Sequence, residues 1–242
     1  MTHPTPLLLL PGLMNDERVW QPIVDALPAG RQVVLGKTHL HDNVAASAAE
    51  AIASMPPGPF AVAGFSLGGY VTIEVCRQAT DRIAGIALLD TGARADADES
   101  KANRQKMIAS LADGKADLAQ ATSNLVPRLL HPAHVNDTQV TELLTDMARN
   151  VGTEGFVRQQ TAAMNRPDNR PVLPTLKVPA LVLCGREDQV TPPALSEEMA
   201  GLLAGDVDLV VVPESGHMTT LEQPAAVVAA FTRWVGRVDA AG

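Results

Sequence analysis

The chain has 242 residues, of which 46% are hydrophobic and 19% charged, and its formal net charge is -8. This length suits one full α/β domain or two small ones, and the balance is ordinary for a globular protein. The sequence has no basic stripe of the kind that binds nucleic acid, and no apolar run approaches the roughly 20 residues that span a bilayer.

Short apolar runs alternate with amphipathic stretches along most of the chain, which is the pattern of strands alternating with helices. The predicted strands cover residues 7–10, 32–35, 60–65, 83–89, 180–183 and 208–212. Helices are predicted over residues 17–27, 44–55, 67–80, 193–203 and 224–235. We therefore predict an α/β fold with about six mostly parallel strands in a sheet flanked by helices.

The region from about residue 91 to residue 176 contains no strand-like run. Its predicted helices cover residues 100–111, 115–130, 137–151 and 154–165, followed by a linker over residues 166–171. Because it interrupts a parallel sheet, the region should lie over the C-terminal edge, where such sheets bind ligands. We predict an α/β core formed by residues 1–90 and 177–242, with a helical cap, or lid, formed by residues 91–176.

The segment Gly64-Phe65-Ser66-Leu67-Gly68 matches the pattern G-x-S-x-G, between a predicted strand and a predicted helix. A nucleophilic serine needs this sharp, strained turn, and the glycines let neighbouring backbone approach closely. The helix start directs N–H groups to the same point, so the Leu67 N–H is a candidate oxyanion donor. The alternative, a helix N-cap serine, does not require glycines on both sides.

A serine hydroxyl is a weak nucleophile that needs a general base. Among six histidines, His217 is the best candidate, because it follows the last predicted strand. Asp188 follows the fifth strand and is the predicted carboxylate partner of the base. Asp90, directly after the fourth strand, is its rival. A loop histidine without a role is the alternative interpretation of His217.

The loop after the first strand should supply the second oxyanion donor, for which we choose the Leu13 N–H and place Met14 second. The residues expected to line the substrate pocket are Met14, Phe65, Met107, Leu129 and Met164. A carboxylate on the substrate could meet one of several arginines, although a surface position is the stronger interpretation for each. These are Arg94, Arg104, Arg158 and Arg166.

Cysteine and histidine spacing gives little sign of a metal site. Cys76 and Cys184 lie in apolar stretches and are expected to be buried reduced thiols. His39, His41 and Asp42 share one loop but lack further ligands nearby, so no metal is predicted.

These motifs resemble the α/β-hydrolase superfamily, particularly its small cap-bearing esterase, enol-lactonase and carbon–carbon-bond hydrolase members. The resemblance covers nearly the whole chain and rests on residues 7–20, 64–69, 185–193 and 215–224. In one departure, the family's usual His-Gly after the first parallel strand is Pro11-Gly12 here, so the histidine that supports this loop is missing. Only six residues precede Leu7, so the family's two leading strands are not expected in full.

The resemblance implies a serine hydrolase that cleaves a small carboxylic ester or related acyl compound, without a cofactor. Ser66, Asp188 and His217 would form its triad, in the chain order known for the family. Lactonase, thioesterase, carbon–carbon-bond hydrolase and acyltransferase activities remain open, as does a ligand-binding or structural role without catalysis. The expected partner is a small acyl substrate. The N-terminus lacks the basic region of a signal peptide, so a cytoplasmic location is expected.

Overall fold

The computed structural model describes residues 4–112 and 117–242. The strands in this range are β1 (Leu7–Leu10), β2 (Val33–Leu35), β3 (Phe60–Phe65), β4 (Ile83–Leu89), β5 (Ala180–Gly185) and β6 (Val207–Val212). They form one sheet in the order β2-β1-β3-β4-β5-β6, and every neighbouring pair is parallel. The predicted six-stranded α/β sheet is confirmed.

Helices follow nearly every strand. Those of the sheet region are α1 (Gln21–Ala26), α2 (Val44–Ala53), α3 (Leu67–Gln78), α7 (Pro193–Leu202), α8 (Thr219–Glu222) and α9 (Pro224–Ala241). Between β4 and β5 the chain forms α4 (Asp98–Ala112), α5 (Leu118–Leu129) and α6 (Thr138–Met164). None of the helices in the described part of the chain is long and apolar enough to cross a membrane.

Some helix boundaries differ from those predicted. The helix predicted from residue 17 begins with a 3-10 turn, Glu17–Trp20, before α1. The start predicted at residue 115 lies outside the described residues, and α5 begins after Asp117, whose carboxylate caps it. The two helices predicted over residues 137–165 join in α6, where Gly152 adopts a φ of 71°. Glycine is the residue that takes this left-handed conformation without a steric penalty.

The central strands are buried on both faces, which explains their continuous apolar runs. Alternate side chains point to opposite sides of the sheet. Leu8 and Leu10 pack in the layer of α2, α3 and α7, whereas Leu7 and Leu9 pack with Trp20 and with Phe231 of α9. The result is a three-layer structure in which loops after parallel strands meet at one edge.

The helical insertion, defined as residues 91–176, packs on that edge. Leu144 and Met147 of α6 belong to the buried cluster that contains Leu7, Leu9 and Phe231. Phe156 of α6 and Leu118 of α5 pack around Met14, which follows β1. The insertion therefore covers the loop in which the second oxyanion donor was predicted.

Both cysteines are buried free thiols, as expected from their apolar neighbours. Burial raises the pKa of Cys184 to about 11, and it raises the pKa of Cys76 further. At neutral pH both therefore remain thiols, which are poor nucleophiles and poor metal ligands.

Candidate active site

Ser66 stands at the turn between β3 and α3 with a φ of 52° and a ψ of -116°. A non-glycine residue at positive φ stores roughly 1–3 kcal/mol of strain, which the surrounding structure must hold. The flanking glycines make this turn possible. A Cβ at Gly64 would overlap the carbonyl oxygen of Gly68, and a Cβ at Gly68 would overlap that of Leu10. Strand β1, strand β3 and helix α3 therefore meet in backbone contact around Ser66.

A row of hydrogen bonds starts at the hydroxyl of Ser66. Its Oγ lies 2.9 Å from Nε2 of His217, and Nδ1 of His217 lies 2.8 Å from Oδ2 of Asp188. Only 3% of the surface of His217 and of Asp188 is exposed. An imidazole in this position can take the serine proton, while the carboxylate stabilises the imidazolium that results.

Asp188 lies in the loop between β5 and α7, where several donors hold its carboxylate. Oδ1 accepts the N–H groups of Val190 at 2.7 Å and Thr191 at 2.9 Å, and Oδ2 accepts the Thr191 hydroxyl at 2.7 Å. Burial alone would raise its pKa, but the charge of His217 and these hydrogen bonds outweigh burial and lower the pKa. Asp188 is therefore held as an anion beside the imidazole.

Asp90, the rival carboxylate, lies at the end of β4 but points elsewhere. Its Oδ1 accepts the N–H of Gly185 at 3.0 Å, and its Oδ2 is bonded to the hydroxyl of Thr219. Burial, together with the nearby charge of Asp188, raises the pKa of Asp90 well above its ordinary value. The two carboxyls thus differ in role, because only Asp188 contacts His217 while Asp90 joins β5 to α8.

Glu222, which the sequence analysis missed, holds the loop that carries His217. Its Oε1 accepts the N–H groups of Gly216 at 2.9 Å and Met218 at 3.1 Å. Its Oε2 accepts the N–H of His131 in the helical insertion at 2.6 Å. A glutamate five residues after the predicted base is the only signal that the sequence offers for this role.

The backbone and ring of His217 are also fixed from two sides. The His217 N–H donates to the carbonyl of Leu129, at the end of α5, over 2.7 Å. The ring of Phe65 packs against the imidazole with 5.5 Å between centroids and a tilt of 44°. Phe65 therefore orients the base from within the core, and it lies outside the lining of the cavity at Ser66.

Gln159 of α6 supports the loop after β1. This is the loop in which the sequence lacks the supporting histidine that the resemblance led us to expect. Its Oε1 accepts the Met14 N–H at 3.0 Å. Its Nε2 donates to the carbonyl of Gly12 at 3.2 Å and to Oγ1 of Thr38 at 3.0 Å, and Thr38 donates to the carbonyl of Pro11 at 3.2 Å. An amide and a hydroxyl thus brace this loop.

The two predicted oxyanion donors are available to a ligand. The Met14 N–H is occupied by Gln159, whereas the Leu13 N–H has no hydrogen-bond partner within residues 4–112 and 117–242. Leu67 is the first residue of α3, and N–H groups in the first turn of a helix lack a partner inside that helix. Both residues line the same cavity as Ser66.

This cavity has a volume of about 400 Å³ and runs from Ser66 and His217 to the helical insertion. Three of the five residues expected from sequence to line the substrate pocket do so, namely Met14, Met107 and Leu129. Met164 does not. A second, more open hollow of about 590 Å³ lies between α5 and α6, around Val126 and Thr141, and does not contain Ser66.

In the loop after β2, His41 is paired through its ring, whereas His39 is bonded through its backbone carbonyl. His41 Nε2 lies 2.5 Å from Glu50 Oε2, and the His39 carbonyl accepts the Nε–H of Arg158 at 2.9 Å. Within the described residues, no group of three or more His, Cys, Asp and Glu side chains is arranged to hold a metal ion.

Comparisons with known proteins agree on the family of folds. The model of the Alpha/beta hydrolase family matches residues 7–230. A pimeloyl-(acyl-carrier protein) methyl ester esterase of Neisseria meningitidis serogroup B is 30% identical over 197 residues, which are 78% of this chain and 74% of that protein.

Two solved structures are also similar. A thermophilic esterase from Thermogutta terrifontis is 28% identical with a TM-score of 0.87, over 97% of this chain and 90% of that one. An enol-lactonase from Burkholderia xenovorans LB400 is 22% identical with a TM-score of 0.83, over 96% and 92% of the two chains. At that lower identity the likeness concerns the fold alone.

Proposed function

Because this chain belongs to the alpha/beta hydrolase family, we propose that it is a serine hydrolase that cleaves a small carboxylic ester or a related acyl compound. One observation carries the proposal: Ser66 Oγ, His217 and Asp188 are linked by contacts of 2.9 and 2.8 Å at the wall of a cavity of about 400 Å³. Two of the similar proteins are esterases by name, which supports an ester as the substrate.

In the proposed mechanism, Ser66 attacks the ester carbonyl while His217 Nε2 takes its proton. The negative charge that develops on the carbonyl oxygen is bound by the N–H groups of Leu13 and Leu67. His217 then protonates the leaving alcohol, which leaves an acyl group on Ser66. A water molecule, activated by His217, hydrolyses this acyl-enzyme. Asp188 stays ionised throughout and stabilises the imidazolium.

The helical insertion acts in this proposal as a cap over a core formed by residues 1–90 and 177–242. It supplies much of the wall of the cavity, including Met107 and Leu129. Apolar groups around a reacting ester exclude water and strengthen the hydrogen bonds to the oxyanion.

A fluorophosphonate probe tests the nucleophile, because it reacts covalently with activated serines. We expect labelling of the wild type, none of Ser66→Ala, and wild-type labelling of Ser123→Ala, which removes an exposed hydroxyl on α5. Hydrolysis of p-nitrophenyl butyrate should likewise be retained by the wild type and by Ser123→Ala and be lost in Ser66→Ala. An unlabelled wild type, or equal labelling of Ser66→Ala, would overturn the proposal. A parallel series of lactones and thioesters then ranks the acyl classes.

A further inference from the structure

Two guanidinium groups share one carboxylate in the wall of the cavity at Ser66. Arg104 Nε lies 2.6 Å from Asp96 Oδ2, and Arg166 Nη1 is paired with Asp96 Oδ1. The side chains of Arg104, Arg166 and Asp96 are 22%, 9% and 4% exposed. We call Arg104 and Arg166 the arginine pair. Among the residues that the structure describes, this pair faces one negative charge and retains an excess of one positive charge.

The arginine pair is held in place by neutral partners. Arg104 donates to the side-chain oxygen of Gln160 at 2.6 Å. Arg166 donates to the carbonyl of Arg94 at 2.9 Å and lies over the ring of Tyr70, 4.0 Å from its centroid. These contacts fix both side chains before a ligand arrives, so that binding orders few additional rotamers. None of these partners cancels the excess charge.

The charges around the cavity contrast with those of the whole chain. The described residues that line the cavity include four arginines and one acidic residue, Asp96, although the net charge of the chain is -8. Arg94 is exposed and pairs with Glu198 outside the cavity. A positive cavity in a negative protein attracts anions, because its low-dielectric walls concentrate the local field.

We propose that the arginine pair binds a carboxylate on the acyl part of the substrate, so that the ester attacked by Ser66 is a monoester of a dicarboxylic acid. This inference rests on the proposed function. A carboxylate carries the single negative charge that the arginine pair lacks, and hydrogen bonds between a guanidinium and a carboxylate are strengthened by their opposite charges. A neutral acyl chain would leave the partly buried excess charge without a counter-charge.

The test compares charged and neutral esters of equal length. Monomethyl esters of the dicarboxylic acids from succinate to suberate are each paired with the methyl ester of the unbranched fatty acid of the same length. Hydrogen bonds to a charged group contribute about 1.5–3 kcal/mol, so the charged ester should be favoured by roughly 10- to 100-fold in kcat/KM at its best length. Arg104→Gln leaves one arginine facing Asp96, and this preference should fall to near unity.

Arg149→Gln is the matched control, because Arg149 is an exposed arginine of α6 that pairs with Asp146. It should retain the wild-type preference. Calorimetry supplies a second readout without chemistry: the monomethyl ester of the preferred length should bind Ser66→Ala more tightly than the methyl ester of the matching fatty acid does. Arg104→Gln in the same background should remove that difference.

The possible failures are distinguishable. Equal kcat/KM for charged and neutral esters, with hydrolysis that depends on Ser66, would overturn the carboxylate site and leave the proposed function standing. This ratio is measured on the wild type and does not require that a variant fold. If the probe labels Ser66 but no methyl ester is cleaved, equal binding of the charged and the neutral methyl esters by Ser66→Ala would overturn the inference. A wild type that is neither labelled nor active would refute the proposed function itself.

Discussion

Replacing Gln159 by leucine should impair turnover although Gln159 contacts none of the reacting side chains. Gln159 is fully buried, and its amide makes three hydrogen bonds, to the Met14 N–H at 3.0 Å, the Gly12 carbonyl at 3.2 Å and Thr38 Oγ1 at 3.0 Å. Leucine has a similar volume but makes none of these bonds. The loop that carries the Leu13 N–H would then lose its brace from the helical insertion.

The size of the effect follows from these bonds. Each contributes about 1 kcal/mol, so the free energy of unfolding should fall by about 3 kcal/mol. For a chain of this length that corresponds to a decrease in Tm of roughly 6–12 °C. Removing one oxyanion donor outright lowers kcat by about 10²–10³. A displaced Leu13 N–H should therefore lower kcat by about 10²-fold, with little change in KM.

The assay measures kcat and KM for p-nitrophenyl butyrate well below the unfolding temperature, together with Tm from circular dichroism. Gln139→Leu is the control, because Gln139 is an exposed residue of the same helix. A Gln159→Leu variant that loses thermal stability but keeps the wild-type kcat would refute the reasoning, since the loop would then keep its shape without the amide.

Three further predictions concern the buried carboxyls. Asp188→Asn should lower kcat by about 10⁴, whereas Asp90→Asn should retain turnover, and the reverse result would mean that the carboxylate partner of His217 is misassigned. Because the pKa of Asp90 is raised in the fold, its contribution to stability is lost as pH rises above the ordinary value of 3.8. Denaturant unfolding should therefore show Asp90→Asn gaining stability over the wild type with rising pH, and a difference that does not vary with pH would contradict this. Glu222→Gln places an N–H donor against backbone N–H groups, so Tm should fall by an amount that corresponds to about 1–3 kcal/mol and kcat should fall with it; a fall in Tm alone would show that Glu222 does not position His217.

The strands could be predicted from the sequence because burial on both faces produces continuous apolar runs. The bounds of β1, β3 and β4 agree with prediction residue for residue. Helix ends were less accurate, since caps and 3-10 turns depend on local contacts. The helix predicted to end at residue 235 continues to Ala241, where Asp239 pairs with Arg31.

In the candidate site, too, some residues could be predicted from the sequence and others could not. Ser66 and His217 were predicted because short motifs identify them next to strand ends. Gln159 carries no such signal, because a lone glutamine in a helix looks like a surface residue, and its partner Met14 is 145 positions away in the chain. Phe65 was expected in the pocket, but the period of two along β3 directs it into the core beside Ala63.

The helical insertion is not an interchangeable module. Gln159 reaches from it to the loop after β1, and the carbonyl of Leu129 holds the backbone of His217. A chimera that received the insertion of another hydrolase would change its substrate contacts and lose both braces at once. Transplanting a new specificity onto this core would therefore require the donor segment to reproduce an amide at position 159 and a carbonyl at the end of α5.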